Sequence, residues 1–293
     1  MNGRTILITG CDRRYFPILC DFVKSVAAVG GFERVDFGVF DIDFEPEQKH
    51  WLEQYSAHIV HPESRPEWQA LYGADRSHLT SLIRPRLREY FPGYEIYLYS
   101  DVDVWVQNWR GFDLYIEGAR QEGLAITPQS HDAYRIGPVT HDWRLDLFRS
   151  LFDEAMAQHL MQCPHINAGI FALAATSPLW EVWRDSFDRA VAGGAAWFGA
   201  GQAILTHMIY VQKIPVRLLP ATCNWQCHLA LPMWDETRGR LVEPLPPHDE
   251  IDLMHMTAHT KFQRHDIRST RGKLMKDFSL WYSAQLPPPP EDT

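Results

Sequence analysis

Residues 81–106 read SLIRPRLREYFPGYEIYLYSDVDVWV, and this stretch decides the fold. Leu82, Leu87 and Tyr90 recur at helical spacing, and Pro92-Gly93 stops that helix. Tyr94 to Ser100 then has the aromatic and β-branched composition of a strand. The strand ends on two carboxylates one residue apart, Asp101 and Asp103, before Val104-Trp105-Val106 re-enters the core. In open α/β sheets, ligands bind just past the carboxyl ends of strands. Two carboxylates there suit a hard divalent cation, Mn²⁺ or Mg²⁺, which takes oxygen ligands and keeps positions open for phosphate oxygens. The spacing alone is weak, and Asp41-Ile-Asp43 repeats it after the strand Val35 to Phe40. Context separates the two pairs, because Asp103 leads straight back into an apolar run.

The chain has 293 residues, 45% of them hydrophobic, enough for a substantial core without disulfides. Its net charge of −9 argues against general nucleic-acid binding. Eleven tryptophans and eleven tyrosines are read mainly as core. The five cysteines, an odd number without regular spacing, suit a reducing cytosol, and a cytoplasmic location is expected. Cys223-Asn-Trp-Gln-Cys227 with His228 is not read as a zinc site, because no second Cys/His cluster completes it. The opening Met1-Asn-Gly-Arg runs straight into a strand, so no secretory leader is expected, and no apolar run reaches 18 residues.

Arg4 to Thr9 reads as a buried first strand, Gly10-Cys-Asp12 as a turn and Tyr15 to Ala28 as a helix, the opening of a nucleotide-binding α/β layout. Asp12 and Tyr15 suit either a helix cap with a core ring or a base pocket, in which a carboxylate accepts a base N–H and a ring covers its face. A helix over Asp75 to Tyr90 carries Arg84, 17 residues before Asp101. Asn167-Ala-Gly169 precedes an apolar strand, and its small residues permit close approach of backbone to a ligand. Gln202 opens a helix over Ala203 to Val211, Ile214 to Leu219 reads as a strand, and Ile251 to His255 reads as a last strand delivering a histidine.

Taken in order, these segments resemble family 8 glycosyltransferases and their relatives, from about residue 4 to residue 261. Arg84 with Asp101-Val-Asp103 resembles the family's Arg…Tyr-Leu-Asp-x-Asp, and Asp12-Arg-Arg-Tyr15 its Asp-x-x-Tyr. His255-Met-Thr-Ala258-His-Thr-Lys261 resembles its His-x-x-Gly-x-x-Lys, and Leu219-Pro220…Asn224 its Leu-Pro…Asn segment, read as structural. The resemblance implies a GT-A fold: one α/β domain over residues 1–260, with a mostly parallel sheet flanked by helices. It implies Asp101, Asp103 and His255 as metal ligands, and Asp12, Tyr15, Arg84, Asp101 and Lys261 as contacts to a UDP-sugar donor. Asn167, Gln202 and Asp132 are the expected contacts to the reacting sugars. The implied reaction is transfer of a hexose to a hydroxyl of a glycan or glycolipid, with retention at the anomeric carbon. Two positions depart from the family, Gly201 in place of an Asp and Ala258 in place of a Gly. They motivate an alternative, a nucleotide-sugar-binding protein without transferase activity. A metal-dependent nucleotidyltransferase or phosphohydrolase is a second alternative, but the chain has no P-loop.

Residues 261–293 are expected to form a helical extension with a disordered Pro-rich end. From Lys261 to Lys276 six basic residues face a single acid, Asp266. That asymmetry suggests either docking beside the diphosphate or peripheral contact with a membrane surface.

Overall fold

The computed structural model describes residues 4–63, 65, 68, 79–194 and 198–285. Fourteen strands are described: β1 (Thr5–Cys11), β2 (Asp36–Asp41), β3 (His58–Val60), β4 (Ile96–Ser100), β5 (Val104–Val106), β6 (Leu124–Pro128), β7 (Ile166–Ala174), β8 (Arg217–Leu218), β9 (Trp225–Gln226), β10 (Met233–Asp235), β11 (Arg240–Val242), β12 (Leu253–His255), β13 (Arg264–Arg268) and β14 (Leu274–Ser279). The α-helices described are α1 (Phe16–Ala28), α2 (Pro46–Glu53), α3 (Leu79–Ile83), α4 (Leu87–Tyr90), α5 (Arg110–Glu122), α6 (Pro138–Leu151), α7 (Glu154–Met161), α8 (Leu179–Ala192) and α9 (Ala200–Tyr210).

The main sheet has the order β3-β2-β1-β4-β7-β6-β8. All its neighbours are parallel except β4–β7 and β7–β6. Every residue of β1 and of β4 is buried, as expected of strands covered on both faces. Their side chains divide by the two-residue alternation of a strand. Leu7, Ile96 and Leu98 join the core with α1 and α5, whereas Ile6, Ile8, Tyr97 and Tyr99 join the core with α3, α8 and α9.

Topology positions the site. The parallel strands β1 and β4 end at one edge of the sheet, and the antiparallel strand β7 begins there, with Ser100 opposite Ile170. Residues after β1, after β4 and at the start of β7 therefore share one edge. A second sheet, β5-β12-β9, adds a late part of the chain. His255 pairs with Val104, one residue beyond Asp103, and the Met256 N–H donates to the Asp103 carbonyl at 2.8 Å.

Three expectations need correction. The helix carrying Arg84 is broken: α3 and α4 are separated by a 3-10 turn, Arg84–Arg86, around Pro85, which has no N–H to continue an α-helix. Its expected start, residues 75–78, lies outside the described residues, as does the Pro-rich end from Leu286. The strand expected over Ile214–Leu219 is only Arg217–Leu218. Among the described residues the C-terminal extension has no α-helix. It folds as the hairpin β13–β14, whose chain turns at Gly272 with φ +83. The hairpin is followed by a docked segment, in which Trp105 Nε1 donates to the Leu280 carbonyl and Trp281 Nε1 to the Lys261 carbonyl. The Tyr282 and Ser283 N–H groups donate to the Asp21 carboxylate.

Candidate active site

Asp101, Asp103 and His255 converge, with their ligand atoms all within 4.8 Å of one another. Gly169 makes room for this. A β-carbon there would lie 2.5 Å from His255 Cε1 and 2.7 Å from Asp101 Oδ2, so the ligands occupy the volume of an ordinary side chain. Two carboxylates and an imidazole form the mixed oxygen–nitrogen set that a Mn²⁺-type cation accepts, and the set fits the expected metal. Among the described residues no other group of three or more such side chains comes together.

Each carboxylate has its own cation. Asp101 Oδ1 accepts from Arg84 Nη2 at 2.5 Å and from the Tyr99 hydroxyl at 3.0 Å. Arg84 lies over the Tyr99 ring and also donates to the Ala168 carbonyl, so it is not a surface arginine. Asp103 Oδ2 accepts from Lys261 Nζ at 2.7 Å, and His255 Nε2 faces Asp103 Oδ1 at 3.2 Å. Burial raises the Asp101 carboxyl above its ordinary value, against the pull of Arg84. Burial acts the same way on Asp103, but His255 and Lys261 overcome it and hold that carboxyl below the usual range. Lys261 is pinned by two further acceptors, the carbonyls of Ala258 and Met256. Ala258 has a φ of +55, in the left-handed region that a glycine adopts without strain.

These groups line a cavity of about 490 Å³ that also takes in Tyr15, Asn167, Gly201 and Gln202. An adjoining cavity of about 230 Å³ shares Tyr15, Asp101, Asp103 and Lys261 and adds Gly10 and Asp12. Asp12 has the capping role expected of it and also reaches a cavity. Its carboxylate caps the turn by accepting from the Tyr15 N–H at 3.1 Å, and it lines the second cavity. The other pair, Asp41 and Asp43, serves loops: Asp41 accepts from the Phe44 N–H and Asp43 from the Arg13 N–H. Asp132 is exposed and is not part of the cavity lining.

Several lining residues had no sequence signal. Gln129, Trp143 and His228 line the larger cavity and not the smaller one that holds Asp12, and the exposed Phe262 lies 6.1 Å from the Tyr15 ring. Burial pushes the His228 imidazole down to about 4. Cys227 packs against Met254, burial pushes the Cys223 thiol up to about 12, and among the described residues neither joins a group of three metal-ligating side chains.

A mostly parallel sheet with an antiparallel strand inserted at the site, and an Asp-x-Asp pair at the carboxyl edge, is the GT-A fold of glycosyltransferases. Comparison with solved structures gives the same fold. The chain is similar to the galactosyltransferase LgtC solved with donor and acceptor sugar analogues (TM-score 0.53, 16% identity, covering 86% of this chain and 87% of that one). It is also similar to the glycosyltransferase GlyE of Streptococcus pneumoniae TIGR4 (TM-score 0.51, 15% identity, covering 88% of this chain and 55% of that one). At these identities the likeness is one of fold. No family model matches the chain, and no curated protein matches it by sequence.

Proposed function

We propose that the protein is a metal-dependent glycosyltransferase that moves a hexose from a UDP-sugar to a hydroxyl of a glycan or glycolipid. The observation that carries this reading is the convergence of Asp101, Asp103 and His255 in the wall of the larger cavity, with the two carboxylates also lining the adjoining one. A cation held there supplies Lewis-acid stabilisation of charge on a leaving diphosphate. Arg84 and Lys261 are the chain's own cations for that charge, and Lys261 reaches it by turning from Asp103. Asp12 and Tyr15, with Phe262, form the nucleoside end. Asn167 Oδ1 is already used by the Gly169 and Asn224 donors, so its Nδ2 is the atom left for a sugar hydroxyl.

Gln202 and Gly201 border the sugar. No carboxylate stands at residue 201, so departure and attack on the same face fit best. The bond from the anomeric carbon to the phosphate oxygen breaks and the acceptor oxygen bonds to that carbon. The acceptor proton passes to the departing diphosphate. Contact with the acceptor, expected of Asp132, is assigned instead to Gln129, Trp143 and His228. The exposed Arg264, Arg268 and Lys276 of the hairpin extend the reading to peripheral contact with anionic lipid, checked by sedimentation with phosphatidylglycerol vesicles.

Calorimetric titration of UDP with Mn²⁺, then with EDTA, tests the donor half. Binding should require the metal and be lost in Asp103→Ala. UDP binding that ignores both changes would sink the metal reading. Sugar release from a panel of UDP-hexoses then separates a transferase from a protein that only binds its donor.

A further inference from the structure

Behind His255 lies a chain of hydrogen bonds that begins at a backbone donor. The Gly169 N–H donates to Asn167 Oδ1 at 3.0 Å. A backbone N–H can only donate, so that Asn167 atom must be the oxygen, whichever way amides are otherwise assigned. The same oxygen lies 3.0 Å from Asn224 Nδ2, which must therefore be the nitrogen. The other Asn224 atom is then a carbonyl oxygen, and it lies 2.8 Å from His255 Nδ1. Only a protonated Nδ1 can satisfy it. Asn224 is fully buried, and on its other side His255 Nε2 points to Asp103.

We propose that Asn224 is a positioning residue for the metal site: it accepts from His255 Nδ1–H and so leaves Nε2 as the ring nitrogen that faces the point shared with Asp101 and Asp103. The partner of the distal ring nitrogen sets which nitrogen of a histidine can ligate, and loss of such a partner typically lowers metal affinity about 10–100-fold. This role rests on the metal reading above, so the test has one arm that needs no metal.

In metal-free protein, long-range ¹H–¹⁵N spectra read the tautomer of His255, assigned by comparison with His255→Gln. Nδ1 should carry a proton in the wild type and in Asn224→Asp, which keeps an acceptor. In Asn224→Leu the proton should move to Nε2, and the affinity for Mn²⁺ should fall about 10–100-fold, while Asn224→Asp stays within a few-fold of wild type. Should Asn224→Leu fail to fold, Asn167→Ala takes its place. That change leaves Asn224 but frees its amide to turn, and should give mixed tautomers and weaker Mn²⁺ binding. A wild-type ring with no proton on Nδ1, or unchanged ring protonation and Mn²⁺ affinity in both variants, overturns the proposal and leaves the metal reading standing. An Nδ1 proton in a wild type that binds no Mn²⁺, even with UDP, removes the metal reading and the purpose of Asn224 with it.

Discussion

Gly169 shows how one absent methyl group can hold a site open. Its missing side chain is the space in which Asp101 Oδ2 and His255 Cε1 lie. Gly169→Ala should leave β7 paired, because alanine is tolerated in a strand, yet push the ligand atoms apart. Mn²⁺ affinity measured by titration should fall by about tenfold or more, with little change in the far-ultraviolet dichroism. Ala258 presents the opposite case. It holds a φ of +55 that a β-carbon makes costly, and Ala258→Gly should stabilise the fold by about 1 kcal/mol in urea unfolding. Both residues were visible in the sequence, one as a small residue beside a ligand and one as a departure from Gly. What approaches Gly169, however, is the protein's own ligand atoms, and no local pattern announces that.

At the scale of elements, the strands were legible where burial on both faces wrote continuous apolar runs, as in β1 and β4. The hairpin β13–β14 was not. Arg264, Arg268 and Arg271 recur at spacings that suit a helix, while the two-residue alternation that governs the segment is carried by single inward residues such as Ile267. Asn224 was read as structural because its partners, Asn167 and His255, lie 57 and 31 residues away. The hairpin's mooring can be tested separately. Asp21 receives the N–H groups of both Tyr282 and Ser283, so Asp21→Ala should raise amide exchange across residues 264–285 while β1 and β4 stay protected. Unchanged exchange there would place the mooring elsewhere, at Trp105 and Trp281.

For the molecule as a whole, buried imidazoles set the response to acid. Burial, with a smaller push from Arg144, lowers His165 from 6.5 to about 3. Between those values the unfolded chain binds a proton that the folded chain refuses, so stability rises with pH across that window and is lost as pH falls through it. The melting temperature should decline from pH 6.5 toward pH 4, and His165→Leu should flatten the decline. A variant as acid-sensitive as wild type would move the cause to His228 or to the carboxylates. The general architecture and the order of the site segments could be read from the sequence, because each motif is local. The side of the cavity lined by Gln129, Trp143 and His228 is assembled from three distant loops and helices, and only the fold brings it together.

The pairing of Arg84 with Asp101 and of Lys261 with Asp103 has a thermodynamic consequence. Those two pairs leave the centre electrically balanced before anything enters. A divalent cation arriving alone brings a surplus of positive charge into a cavity walled by protein, and a nucleoside diphosphate arriving alone brings the opposite surplus beside two carboxylates. Arriving together, the two cancel. Linkage then requires each to raise the other's affinity by the same factor. Titrating one at several fixed levels of the other should trace a single coupled equilibrium, with neither dissociation constant meaningful unless the concentration of its companion is stated.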